Sequence, residues 1–227
     1  MKLSITKAEL QDYILQQLNN FFPDKYKIKS GQIATHIDTA IDRLDNCFSR
    51  VSFNRYNENG QTRFNHLYKD QNIVFLWFLA NTIWKNSQDE NLYSKVYYLN
   101  KALHSFDCMY NTELPDIFLV FHGAGTMLGK ATYSDYFVVL QGCTVGSHKG
   151  QYPVLGKGFT LTANSSIIGN CVIGKRCTIS TRTTLFQKSL PDDSTAFLDF
   201  AKGTLMVKSS EQCYAQQYFN VDLKTVL

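Results

Sequence analysis

From Leu155 onward the chain divides into sixes without a gap: LGKGFT, LTANSS, IIGNCV, IGKRCT, ISTRTT, LFQKSL. Leu155, Leu161, Ile167, Ile173, Ile179 and Leu185 hold one place in each six, and Phe159, Ser165, Cys171, Cys177, Thr183 and Ser189 stand four residues further on. A helix repeats every 3.6 residues or so and a flat strand about every two, so neither satisfies this period. A coil with three flat sides does. Each side takes one six, the aliphatic residue points into a prism, and the second position, small in all but one case, sits near a corner. Stacked coils bury a continuous core that no single repeat could bury alone.

The pattern continues upstream in weaker form. Leu128-Gly129, Val139-Leu140 and Val145-Gly146 are plausible earlier turns. Leu128 and Val139 are eleven residues apart instead of twelve, which predicts one short or bulged side. Between Val145 and Leu155 there are four extra residues, in the stretch GSHKGQYPV. A loop leaving a regular solenoid is a common place for function.

The first half has a helical period. SITKAELQDYILQQLNNFF carries a possible cap at Ser4 or Thr6 and apolar residues at Leu10, Ile14, Leu18 and Phe21 or Phe22, with Pro23 to end it. Ile33, Ile37, Ile41, Leu44 and Phe48 form a second stripe. RYNENGQTRFN is expected to be a polar loop, NIVFLWFLANTIWKN a buried helix, and NLYSKVYYLNKALHSF another helix leading to Asp107. The expected class is α+β: a helical domain over 1–113, a parallel β-helix over 114–208 and a tail over 209–227.

Net charge is +4, too mild and too scattered for nucleic acid, though it suits a small anionic ligand. The N-terminus is amphipathic, without the apolar core of a signal peptide, and no apolar run approaches membrane-spanning length. Six cysteines occur without a CxxC pair. These features lead to the expectation of a cytoplasmic protein with reduced thiols.

The candidate chemistry centres on FLVFHGAGTMLG, residues 118–129, where His122 stands among glycines after an apolar run. The region from Asp107 to Ser189 resembles the serine acetyltransferases, a family of left-handed β-helix acyltransferases with a helical N-terminal domain. His122, Gly125 and Gly129 match that family's HxxGxxxG context, VLQGCTVG its aliphatic-LQ turn, and Gly169-Asn170 its later Gly-Asn. The family pairs the histidine with an aspartate fifteen residues earlier, which is Asp107 here. The resemblance implies that His122 is a general base oriented by Asp107. A hydroxyl is a weak nucleophile, and an imidazole titrating at about 6.5 can take its proton, for roughly 10²–10⁴-fold in rate. A carboxylate on the other ring nitrogen would hold the tautomer. Glu113 and Asp116 are alternative partners, and Asp107 could equally be a solvated helix-end residue. His36, His66 and His104 fall on helices or their flanks.

The resemblance also implies acetyl-CoA as co-substrate, lying along the outside of the coils between two subunits of a homotrimer, and it suggests that the helical half pairs trimers into a dimer of trimers. Gly146 and Ser147 match the backbone near the thioester, with the Ser147 N–H a candidate oxyanion donor. Ala163 and Ser165 match the next coil along the arm. Lys188, Lys202 or Lys208 could meet the phosphates. On the acceptor side the family's Arg-His-Pro becomes Gln151, Tyr152 and Pro153, and its acid before the histidine becomes Phe121. A serine carboxylate calls for a guanidinium fork. The missing charges and the aromatic replacements point instead to a carbohydrate or nucleotide-sugar of surface polysaccharide synthesis, with L-serine as the other reading. Phe121, His148, Gln151 and Tyr152 are the acceptor-side residues. A zinc site would need three protein ligands. His122 and His148 have no third partner at suitable spacing, so no metal is expected. A trimeric binding module without catalysis would share the same repeats.

Overall fold

The computed structural model describes residues 1–226. Four helices come first: α1 (Lys7–Phe21), α2 (Ser30–Phe48), α3 (Lys69–Asn86) and α4 (Glu90–His104). Thr6 and Glu9 form a reciprocal capping box at the start of α1, and Leu10, Ile14 and Leu18 are its buried stripe. The hydroxyl and carboxylate oxygens there satisfy N–H groups that a helix start leaves unpaired. The α2 stripe is buried at Ile33, Ile37, Ile41, Leu44 and Phe48. α3 is buried almost along its whole length, as expected for a helix apolar on every side. Asp89 caps α4 by accepting from Leu92 N at 3.0 Å, and Ser105 ends the helix in the left-handed region.

The stretch expected to be a polar loop is a hairpin. Asn57–Glu58 pairs antiparallel with Gln61–Phe64, and Lys2–Leu3 adds a parallel strand. Asn59 and Gly60 both have positive φ, which is the geometry a two-residue hairpin turn demands.

The second half is a parallel β-solenoid with three faces. The first face stacks Phe118–Val120, Phe137–Val139, Thr160–Leu161 and Thr178–Ile179, then Ser194–Asp199. The second stacks Met127–Leu128, Thr144–Gly146, Ser166–Ile168 and Thr184–Phe186. The third stacks Thr132, Val154–Leu155, Val172–Ile173 and Leu190. All six repeat aliphatics are buried, and so are five of the six partner positions; only Ser189 is exposed, its hydroxyl accepting from Val172 N. The register matches Leu128 to Val145 to Ile167 to Leu185 on one face. Thr132 pairs with Val154, which puts Tyr133 level with Leu155, so the short side lies between Leu128 and Tyr133.

The ends of the prism are closed. Trp77 and Phe78 of α3 pack on Phe118 with ring centroids 5.3 and 5.4 Å away, so this helix covers the floor of the first coil. At the far end Ser194–Asp199 turns back as a hairpin with Thr204–Ser209. Residues 210–226, expected as a tail, include a packed return segment. It runs back outside the first face, where Cys213 Sγ contacts Gly158 O, Phe219 packs on Tyr136, and Tyr218 O accepts from Ser52 N at 2.9 Å. Among the described residues no helix is long and apolar enough to cross a membrane.

Candidate active site

The later coils turn from the first face to the second through a residue in the left-handed region, Gly142 (φ 67°), Asn164 (59°) and Arg182 (60°), and Gly125 (73°) stacks beneath them in the first coil. Asn164 N donates to Gln141 O and Arg182 N to Ala163 O, so these corners stack into one ridge. Glycine and asparagine tolerate this conformation; for another residue it costs roughly 1 kcal/mol. Val120 and Leu128 are eight residues apart where their partners Val139 and Val145 are six, so the first coil's corner carries two extra residues; His122 (φ 63°) stands in that bulge, and it is exposed. Its ring makes no hydrogen bond among the described residues. Its backbone N–H donates to Asp70 Oδ1 at 2.9 Å, from the first turn of α3. Gly123 follows at φ 38°, where a Cβ would collide with Ile73 of α3. That close approach is what requires a glycine.

The expected contact between Asp107 and His122 is not formed. Asp107 pairs with Met127 as a strand bridge, and its carboxylate is taken up by α4: Tyr97 Oη donates to one oxygen and Lys101 Nζ to the other, both at 2.7 Å. Burial pushes the Asp107 carboxyl up, but these two donors outweigh it and hold it below the ordinary carboxylate range. Neither Glu113 nor Asp116 hydrogen-bonds to the ring. The two residues are fifteen positions apart as the family pattern has it, yet the chain places them at different ends of the coil's turn.

Asp107 instead lines a cavity of about 490 Å³ on the second face, together with Gly146, Ser147 and Tyr152. The excursion loop that carries Tyr152 closes as a tight turn: His148 and Gln151 exchange both backbone hydrogen bonds, with Lys149 and Gly150 at positive φ. Ser147 is exposed and its backbone N–H has no protein acceptor among the described residues, so it faces that cavity free to donate. Tyr152 is 47% exposed, and Gln151 is also exposed. His148 turns the other way and sets its ring edge-on to Phe186 at 4.9 Å.

A longer groove of about 730 Å³ follows the corner ridge on its first-face side, lined by Leu140, Thr162, Thr181, Phe197, Lys208 and Tyr214 among others. Ala163 is half-buried beside it. Lys208 stands over the Phe197 ring at 5.7 Å. Ser165 must be corrected: it is wholly buried and its hydroxyl donates to Thr162 O at 2.6 Å, so its side chain points into the prism and cannot line an outer groove. Lys188 is exposed near the corner between the second and third faces, and lines neither space. Lys202 pairs with Asp199 at the hairpin tip, 3.6 Å apart.

Phe121 belongs to an aromatic cluster that the sequence did not reveal. Tyr218 of the return segment lies 4.7 Å from it, Phe53 6.0 Å and Tyr56 6.3 Å. No local signal announces these partners, because they come from two distant stretches of chain. The thiols are ordinary packing groups: burial raises the Cys143 thiol and pushes Cys177 up to about 11, so both stay protonated at neutral pH. Among the described residues no three His, Cys, Asp or Glu side chains are grouped to hold a metal ion.

A helical domain closing the floor of a parallel β-solenoid, with an exposed histidine at the first corner, defines an architecture of hexapeptide-repeat type. It is the fold of solved serine acetyltransferases. A serine acetyltransferase in complex with cysteine superposes with a TM-score of 0.71 at 16% identity, over 95% of this chain and 84% of that one. The Vibrio cholerae O1 serine acetyltransferase gives 0.67 at 16%, over 91% and 80%. That of Brucella abortus strain S19, in complex with coenzyme A, gives 0.66 at 15%, over 92% and 84%. No family model matches the chain, and no curated protein matches it.

Proposed function

We propose that the protein is an acetyl-CoA-dependent O-acetyltransferase in which His122 is the general base. The observation that carries this reading is the exposed His122 one coil below a groove that climbs the corner ridge to Lys208. Coils rise about 4.8 Å each, so the first-coil corner that carries His122 and the Arg182 corner are separated by about 14 Å along the ridge, a span an extended pantetheine arm can cover. Ala163 lies beside that path, and the Lys208 ammonium suits a phosphate at its upper end. His122 takes the proton of the acceptor hydroxyl as that oxygen attacks the thioester carbonyl. Backbone N–H groups steady the oxyanion, and the thiolate leaves with the proton.

Gly146 and Ser147 lie at the far edge of the second face from His122, so the Ser147 N–H serves best if a neighbouring copy brings it to the thioester. This supports a homotrimer with the site in the cleft between subunits. The six unpaired thiols suit a reducing cytoplasm.

Two acceptor classes have support. The half-exposed aromatic surface of Phe53 and Phe121 favours a sugar, whose apolar ring face can rest on it. Arg55 and Lys69, whose charges reach Asp70 beside the His122 turn, favour a carboxylate-bearing acceptor such as L-serine. The test is to follow free CoA thiol while offering L-serine, nucleotide-sugars and oligosaccharides in turn. Thiol release that depends on one acceptor supports acetyl transfer and names the class. No release with any acceptor, from folded protein that binds acetyl-CoA, counts against it.

A further inference from the structure

Asp70 is the most unusual charged group in the molecule. It is 2% exposed, it makes no ion pair among the described residues, and its one hydrogen bond is the 2.9 Å contact from the His122 backbone N–H. A buried carboxylate costs free energy unless it is well partnered. α3 could have supplied any small polar residue to receive a backbone N–H. It supplies a full charge, under the exposed histidine, while the carboxylate fifteen residues upstream is neutralised by Lys101.

We propose that Asp70 is the carboxylate of its own protomer that positions His122 and balances the charge of its ring when the base takes up a proton. This rests on the reading of His122 as a base. The hydrogen bond holds the left-handed turn that presents the ring, and the imidazole begins only a few bonds from the bonded nitrogen. Burial pushes the Asp70 carboxyl up, against the lowering pull of the His122 N–H and of the charges on Lys69, His122 and Arg55. The other titratable groups about this junction come from each element packed there. Tyr56 and Tyr68 flank Asp70 from the loop before α3 and its cap, and Tyr218 of the return segment packs on Phe121. His104 at the end of α4 bonds Asn72 Oδ1 at 2.9 Å, and burial holds its imidazole down at about 4, neutral throughout the working range. Lys69 and Arg55 oppose the charge of an imidazolium, so Asp70 is the group on this side that favours it.

The experiment compares Asp70→Asn with Asp70→Ala and Asp107→Asn. Asparagine keeps an oxygen for the His122 N–H and removes the charge; alanine removes both. In each variant kcat and KM are read from CoA release across pH. The histidine ring signal that disappears in His122→Ala is followed by NMR, a readout that needs no turnover. Losing an opposite charge beside the turn is expected to move the signal's midpoint and the acid limb of kcat to lower pH in Asp70→Asn. Its kcat should fall by roughly 10-fold with acceptor KM little changed, and Asp70→Ala should fall further as the turn loosens. Asp107→Asn should leave the midpoint in place. An unmoved midpoint in folded Asp70→Asn, or a larger move in Asp107→Asn, overturns the assignment. Wild-type protein that releases no thiol with any acceptor, while the midpoint still moves, would sink the acetyltransferase reading and leave the Asp70–His122 coupling standing.

Discussion

The first coil and the three that follow stack strand on strand but are stabilised differently. In the later coils every requirement is met from within the repeat. An inward aliphatic fills the prism, a small or aromatic neighbour packs beside it, and Asn164 or Arg182 makes the corner. The first coil is short on one side, places His122 in a left-handed turn, and needs Asp70, Ile73, Trp77 and Phe78 from α3 to complete it. The regular coils are a self-sufficient scaffold. The irregular one is held by another part of the chain, and that is where an exposed base can be kept in a costly conformation.

The comparison predicts different failures for the two regions. Phe159→Ala, in the later coils, opens a cavity beside Phe137, onto which Phe159 stacks at 5.9 Å. It should destabilise the protein by about 3–5 kcal/mol, read by urea unfolding, with activity per folded molecule retained. Equal loss of activity per folded molecule would mean that the scaffold and the site are not separable.

Gly123→Val should cost less stability, about 1–3 kcal/mol, because the added carbons meet Ile73 and the residue is held at positive φ. Its effect on turnover should exceed that of Phe159→Ala, since it displaces the His122 turn from α3. Turnover unaffected by this substitution would show that the seat of the first coil is irrelevant to the base.

The smallest effect is expected at the surface of the upper coils. Arg176 holds Asp193 through two hydrogen bonds of 2.6 and 2.5 Å. The Arg176 hydrogen bond lowers the Asp193 carboxyl below its ordinary value. A depressed folded-state value means the contribution is present above the unfolded value, about 3.9, and is lost as pH falls through the folded one. Arg176→Ala should therefore cost about 1 kcal/mol or less at neutral pH for this partly exposed pair, and the cost should shrink as the pH falls through the Asp193 value. A large cost on both sides of that value would reveal a packing role for the guanidinium.

Most of the architecture was legible because it repeats. Leu155 to Leu185 gave six independent readings of one inward position, and the eleven-residue interval located the short side. The helices were equally plain from Ile33 to Phe48. The Asn59-Gly60 hairpin was missed although its turn dipeptide is a strong signal, because no alternation of apolar residues flanks it. The site was legible only in part. His122 announces itself by its glycines, whereas Asp70 is an ordinary acid in a helix's first turn until folding sets it under the histidine. The same limit hid Tyr218, which lies nearly a hundred residues from Phe121 in sequence and packs on it in space. The family resemblance suggested Asp107, and nothing in that fifteen-residue pattern announces its pairing with Lys101.

The most direct test of the account is CoA release by His122→Ala beside the wild type, with the acceptor that the screen selects and with the melting temperature measured on both. The account predicts a fall in turnover of about 10²–10⁴-fold with unchanged melting. Turnover close to wild type in the folded variant would contradict it.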